Sequence, residues 1–418
     1  MHSSRLLFKV SVRANTVPQS LSAMLGIAIR IAQRMGIHSE SSLAKCTAFE
    51  AELRRRLWWS LALFDTRISE LAEHKSATLN PTWDCRIPLH ANDSDLRPEM
   101  KELPDNQNSP TEALFAVVRS ELGEFVRHAK FYLGFTCPAL KHMSNKHVQV
   151  PGASEVAALE STIERRYLMS CDLDNPLHFI TVWWSRAFIA RCHLLEHHSR
   201  HFTPSGYQTD AHRDAAISMA IRMLQCDTKF MSSAYSTRFL WLSQLYFPCP
   251  AYIQIIQDLR KRPESEKAEL AWIAMSDNYE TRFAYLPDYE NNPFFQLFNK
   301  IIPQAWEARK AILSELGEPV LPPKIVSLIR QRVARAAQKI LDTDKLKLTG
   351  CINIYDDELP ISMPVDPDSH VLLYSRDEQT GRNVAKPETH VEMPMDAALD
   401  IDMYPVDWAT MDWGFGGI

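Results

Sequence analysis

The sequence predicts an all-α fold, a large irregular multi-helix domain followed by a disordered acidic tail, and three observations carry that expectation. Glycine supplies only 12 of 418 residues, about 3% where globular chains average ~7%. So little glycine disfavours turn-rich β architectures and nucleotide-binding folds that need it at tight phosphate turns. Apolar residues recur at three- and four-residue steps through most of residues 1–341, which is the helical period. After Asp342 the composition turns to Asp, Pro, Ser and Thr with scattered apolar positions, too few to drive folding.

Three parts follow: a helical domain over 1–341, a disordered linker over 342–390, and an acidic-aromatic tail over 391–418. Charge divides in the same way. Residues 342–418 hold five Lys/Arg against sixteen Asp/Glu, a net of -11, so the remainder of this -5 chain is +6. That modest excess is compatible with a nucleic-acid partner but is weak support for one.

Ser20–Gly36 places apolar residues at 21, 24, 25, 28, 31, 32 and 35, with Gly36 as the stop. The next helix begins at Thr47, which with Glu50 forms a candidate capping box, and runs to His74. Phe49, Leu53, Leu57, Leu61, Phe64, Ile68 and Leu71 make its expected buried stripe. The stretch from Asn80 to Pro110 is rich in Pro, Asn and Asp and reads as an ordered loop laid over the helices. Further helices are expected near 111–133, 154–170, 174–198, 211–231, 235–260, 264–283, 294–315 and 322–341. Within them Phe239–Gln257 is long enough to suggest a membrane span, but Pro248, Pro250 and its polar residues mark a buried broken helix.

Little in the chain points to catalysis. No phosphate loop, dinucleotide fingerprint or serine elbow occurs. The eight cysteines are spread out, Cys171 and Cys192 being the nearest pair, so they form no local zinc or redox motif and read as reduced thiols of an intracellular protein. His193, Glu196 and His197 fit the H-x-x-E-H pattern, whose i,i+4 imidazoles can share a zinc while the glutamate activates water. Only distant glutamates such as Glu264 or Glu280 offer a third ligand, and a polar helix end explains the match more simply. The clustered acids of Asn92–Leu96 and Tyr355–Leu359 lie in turn-like sequence, where Asp and Asn cap backbone groups.

Arg54, Arg55 and Arg56 stand directly before Trp58 and Trp59. Basic-aromatic clusters can bind nucleic acid, but Glu50/Arg54 and Glu52/Arg56 have the favourable i,i+4 order of acid before base. The two indoles diverge by about 100° on a helix, so one stacking surface cannot use both. Helix packing and ion pairing are therefore expected here, with Asp65 and Arg67 extending the polar network.

These stretches, "MLGIAIRIAQRMGIH" (24–38), "FEAELRRRLWWSLALFDTRISEL" (49–71), "CRIPLHANDSDLRPEM" (85–100) and "TEALFAVVRSEL" (111–122), resemble in order the middle homology region of fungal zinc-cluster transcription factors. The resemblance continues through "RYLMSCDLDNPLHF" and "LAWIAMSDNYE" and covers roughly 15–315. It implies an all-helical regulatory domain, a nuclear location, no enzymatic activity, and control of a pathway-specific or secondary-metabolite gene set. Complete members of the family begin with a six-cysteine module holding two zinc ions. This chain has no such cluster, so no DNA-reading residue or zinc ligand carries over. Zinc is expected only with an upstream module, and DNA contact only through that module or a partner regulator. A homo- or heterodimer is compatible with either case, as is a co-regulator or ligand-binding helical scaffold that does not bind DNA. The tail, in which Met403, Tyr404, Trp408, Trp413 and Phe415 alternate with acids, has the composition of an activation segment that recruits transcriptional machinery or a coactivator. No cofactor and no membrane association are expected.

Overall fold

The computed structural model describes residues 18–71, 83–105, 107, 109–129, 154–201, 209–283, 293–315, 321–335 and 338. The chain divides into two units, Met1–Val333 with Pro405–Ile418, and Ala334–Tyr404. The elements below belong to the first. The expected boundaries at 341/342 and 390/391, the Tyr355–Leu359 acids and the tail aromatics lie outside the described residues. Among the described residues every regular element is helical, as the glycine content and the periodicity predict.

Helix α1 (Pro18–Arg34) ends where Gly36 adopts a φ of 70°. A side chain there would also collide with Ser42, 2.8 Å from the position of its Cβ, so the predicted stop has a steric reason. A single turn, α2 (Glu40–Leu43), leads to α3 (Ala48–Leu71). The Thr47 hydroxyl accepts the Glu50 N–H at 3.2 Å, which is half of the expected capping box. The other half does not form, because the Glu50 carboxylate turns to Arg54 at 2.6 Å.

A second correction concerns the buried stripes. Leu61, Phe64 and Ile68 are buried as expected, but Leu53 and Leu57 are exposed, as are Ile31 on α1 and Met35 just after it. At the first half of α3 the buried positions are Ala51, Glu52, Trp58 and Trp59. The physical reason is the segment 83–96, which covers the Glu/Trp side of α3 and turns the leucine side outward.

Helix α4 (Leu114–His128) crosses α3 closely at Gly123, where a Cβ would lie 2.6 Å from Leu63 Cδ2. Ser154 caps α5 (Glu155–Ile163), which passes into a π turn at Glu164–Leu168. Asn175 and Pro176 open the long α6 (Pro176–Arg200), and Thr209 caps α7 (Asp210–Ser232), which packs extensively against α6. The region expected as one broken helix is a 3₁₀ turn at Ala234–Phe239, α8 (Leu240–Leu245) and α9 (Cys249–Lys261), with the break at Pro248. Helices α10 (Ala268–Phe283) and α11 (Pro293–Glu315) follow, and 324–333 are again helical.

Two of the apolar cores among the described residues position the α3 region. One joins α1 and α3 with Trp83, Cys85 and Leu245; the other joins α4, α5 and α6 with Phe230 and Leu242. Tyr246 packs against both. Each fully buried large side chain here contributes about 1.5–3 kcal/mol.

Candidate functional site

The Arg54–Trp59 stretch is an interlock with the segment that follows α3. Arg54 pairs with Glu50 at 2.6 Å and Arg56 with Glu52 at 3.2 Å, the two intrahelical pairs that the spacing predicts. Arg55 reaches back to α2 and grips Glu40 with both ends of its fork, Nε–Oε1 at 2.8 Å and Nη2–Oε2 at 2.7 Å. Those hydrogen bonds hold the Glu40 carboxyl below its ordinary range and raise the Arg55 guanidinium. Glu52 is almost fully enclosed, and burial pushes its carboxyl up although the Leu89 N–H and Arg56 both stabilise its charge.

The covering segment is fastened at several points. Arg86 N–H donates to Glu40 at 2.9 Å, Leu89 N–H to Glu52 at 2.9 Å, and Arg56 reaches Asp93 at 2.6 Å. Asn92, Asp93 and Asp95 of the acidic cluster are used within this loop, bonding with Glu112 and Gln107. The Trp59 indole donates to the Arg86 carbonyl at 2.8 Å. Trp83 lies edge-on to both Trp58 and Trp59, with centroids 5.5 and 5.0 Å away, and the Arg127 guanidinium of α4 stacks 3.7 Å from its ring. All three consecutive arginines thus have carboxylate partners and both tryptophans are buried. Glu40, Trp83 and Arg127 belong to this unit although no local pattern connects them to it.

Asp65 and Arg67 are buried about two turns further along α3. Arg67 donates to the Leu245 carbonyl and its guanidinium lies 5.3 Å over the Tyr246 ring. It faces a small cavity of about 30 Å³ that opens between α3, α6, α7 and the 243–248 break. Its fixed wall is a buried pair: Arg282 of α10 engages both oxygens of Asp227 on α7, with Nε–Oδ2 at 2.6 Å, and caps the Ser243 and Tyr246 carbonyls at 3.0 and 3.1 Å. Asn278 donates to Asp227 at 2.7 Å and accepts from the Tyr252 hydroxyl at 3.0 Å. Sequence reasoning did not single out this cluster, since its bonded partners are 26 or more positions apart.

The H-x-x-E-H residues have separate structural partners. His193 Nε2 bonds Glu160 on α5 at 2.7 Å. Glu196 receives Ser154 and the Glu155 N–H, tying the start of α5 to α6, and pairs with Arg200. His197 stacks 4.3 Å from His201. Among the described residues no group of three or more His, Cys, Asp or Glu is placed to hold a metal ion. No helix of the described residues is long and apolar enough to cross a membrane.

Residues 12–149 match the family described as the fungal specific transcription factor domain. Over 421 residues the chain is 46% identical to the "Transcriptional regulator nsrM" of Aspergillus novofumigatus, and over 412 residues 42% identical to the "Transcriptional regulator AacuB" of Aspergillus aculeatus. Each match takes in 97% of this chain and 56% of the relative. The "Aurofusarin cluster transcription factor aurR2" of Gibberella zeae is 28% identical over 320 residues, which is 75% of this chain and 46% of that protein. The chain therefore spans about half the length of these curated relatives, and no solved structure matches it. The order of matched stretches and the identity along almost the whole chain lead to one conclusion: residues 12–149 carry a fungal specific transcription factor domain, within a chain similar along nearly its whole length to proteins named transcriptional regulators.

Proposed function

We propose that this chain is the regulatory portion of a fungal transcription regulator, acting in the nucleus on a pathway-specific or secondary-metabolite gene set. The observation that supports this most strongly is identity above 40% along 97% of the chain with two proteins named transcriptional regulators. The naming of a further relative for a biosynthetic cluster supports the narrower gene set. In this reading the helical body is a rigid platform. Arg54, Arg55, Arg56, Trp58, Trp59 and Asp65 stabilise it and do not touch DNA, which is reached through a zinc module or a partner regulator. The tail works separately: its acids keep Met403, Tyr404, Trp408, Trp413 and Phe415 in water until a coactivator groove accepts them. No catalytic step is assigned to the chain.

Deleting the gene and sequencing transcripts tests the regulatory role. A block of biosynthetic genes changing several-fold together is the expected result, and an unaltered transcript profile overturns it. Fusing residues 391–418 to an unrelated DNA-binding domain tests the tail. Reporter activation that disappears in Trp408→Ala/Trp413→Ala is expected, and silence of the unmutated fusion removes the tail from the mechanism.

A further inference from the structure

We propose that the exposed face of α1 is a docking surface for the C-terminal residues Pro405–Ile418 of the same chain, with Arg30 and Arg34 receiving Asp407 and Asp412. This rests on the regulatory reading above, which assigns those residues to the tail, and adds where the tail is held when no coactivator holds it. Helix α1 buries one side only: Leu21, Leu25, Ala28, Ile29 and Ala32 enter the core shared with α3. On another side Ile27, Ile31 and Met35 follow at four-residue steps and are 46, 41 and 52% exposed. The Met35 N–H still bonds the Ile31 carbonyl at 3.0 Å, so the helical path carries the stripe through Met35. Arg30 and Arg34, also exposed, run beside it at the same spacing.

Charge distinguishes this face from other exposed apolar positions. Neither the Arg30 nor the Arg34 guanidinium is in an ion pair among the described residues, and residues 18–38 contain no acid. The exposed Leu270 and Ile273 of α10 stand among Glu266, Glu269, Asp277 and Glu280, and Met169 and Leu173 beside Asp172 and Asp174, charges that repel an acidic segment. Leu53 and Leu57 of α3 lie next to Arg54 and Arg56, whose charges are already matched by Glu50, Glu52 and Asp93. Of these faces, the one on α1 combines an apolar stripe with two unpaired positive charges.

The chain's last fourteen residues, "PVDWATMDWGFGGI", are complementary to it: they carry Asp407 and Asp412 and no basic residue. Trp408, Met411 and Phe415 are three and four positions apart, matching the steps of the α1 stripe. Apolar anchors at such steps with acids between them are the chemistry that a basic and apolar helix face accepts. Helix α1 and Pro405–Ile418 belong to the same unit. Pro405 stands 72 positions after Val333, and a tether of that length reaches up to roughly 240 Å when extended, so reach does not restrict where the tail docks. Tethering also raises the local concentration of the tail, which offsets the weakness of exposed ion pairs on a shallow face. The contact therefore exchanges with the solvated tail, and a coactivator competes with α1 for the same rings.

The test is photocrosslinking of the full 418-residue chain carrying the photoreactive substitution Trp408→p-benzoylphenylalanine, read by mass spectrometry, with two differently tagged copies mixed to separate contacts within a chain from contacts between chains. Crosslinks to residues 24–35 of the same chain are expected. Arg30→Glu/Arg34→Glu is expected to cut their yield at least about fivefold, and adding Asp407→Arg/Asp412→Arg to that variant is expected to restore it. Restoration by the swapped charges also shows that the reversed arginines leave the protein folded. No crosslink to α1, crosslinks only between chains, an undiminished yield in Arg30→Glu/Arg34→Glu, or a loss that the swap does not restore overturns the proposal. The reporter fusion of residues 391–418 contains no α1, so if it activates while the crosslink is absent, the docking surface falls and the tail reading stands.

Discussion

Arg55 closes a two-point ion pair on Glu40, fifteen positions earlier in the chain and on a different helix. Both side chains are largely enclosed, and Glu40 also accepts the Arg86 N–H. One carboxylate therefore joins α2, α3 and the covering segment, whereas the neighbouring Arg54 bonds only within its own helix.

That contrast predicts unequal mutational costs along three consecutive arginines. Glu40→Gln is expected to destabilise the protein by about 2 kcal/mol, the range for losing charge-assisted hydrogen bonds in partial burial. Glu50→Gln, breaking an exposed i,i+4 pair, is expected to cost about 0.3–0.5 kcal/mol. Urea unfolding of the two variants compares them directly, and equal midpoints would show that the interlock carries no special weight.

The two glycines on α1 and α4 should respond oppositely to alanine. Nothing lies within 4 Å of a Cβ at Gly26, so Gly26→Ala gains helix propensity and stabilises by up to about 1 kcal/mol. At Gly123 the added methyl meets Leu63 Cδ2 at 2.6 Å, so Gly123→Ala pushes the Leu63 side chain out of its present rotamer and packing, at a cost of about 1 kcal/mol or more. Thermal unfolding should move upward for the first variant and downward for the second.

Asp227→Asn leaves Arg282 charged, buried and without its carboxylate. A loss of about 3–5 kcal/mol is expected, the usual consequence of breaking one side of a buried pair. Replacing both residues with apolar ones, Asp227→Leu with Arg282→Met, should recover much of it. A double variant less stable than Asp227→Asn would contradict this account of the cluster.

Acid should weaken the fold through the histidines joining α6 and α7. The His201 and His212 rings are 3.9 Å apart, and His197 lies 4.3 Å from His201. Burial, then the neighbouring histidines, lowers His197 to about 4; burial also lowers His198 to about 4, against a hydrogen bond with Gln254 that favours its charge. In the unfolded chain both titrate near ~6.5. Between these values the unfolded state binds more protons, so stability rises with pH through the window and is lost as pH falls from 6.5 toward 4. The slope is up to about 1.4 kcal/mol per pH unit for each histidine. Tm measured from pH 7 to pH 5 should fall, and less steeply in His197→Gln. A pH-independent Tm would exclude this linkage.

What the sequence by itself determined is whatever depends on the helical repeat. Scarce glycine and three-to-four-residue periodicity give the all-helical class. Spacings of four place Arg54 on Glu50 and Arg56 on Glu52 wherever the helix lies, and proline at 248 breaks the helix in any context. The stretches at 24–38, 49–71, 85–100 and 111–122 also carry the resemblance to fungal zinc-cluster transcription factors. Only tertiary structure decided which face of α3 is inside, because the 83–96 segment outweighed the leucine pattern and buried Glu52, Trp58 and Trp59 instead of Leu53 and Leu57. It also decided that Arg55 takes Glu40, that Trp83 lies against both indoles, and that Asp227 and Arg282, 55 positions apart, form the wall of a cavity with Arg67. Local geometry specifies partners three or four residues away; more distant partners are set by how the helices cross, and packing of the whole chain settles that.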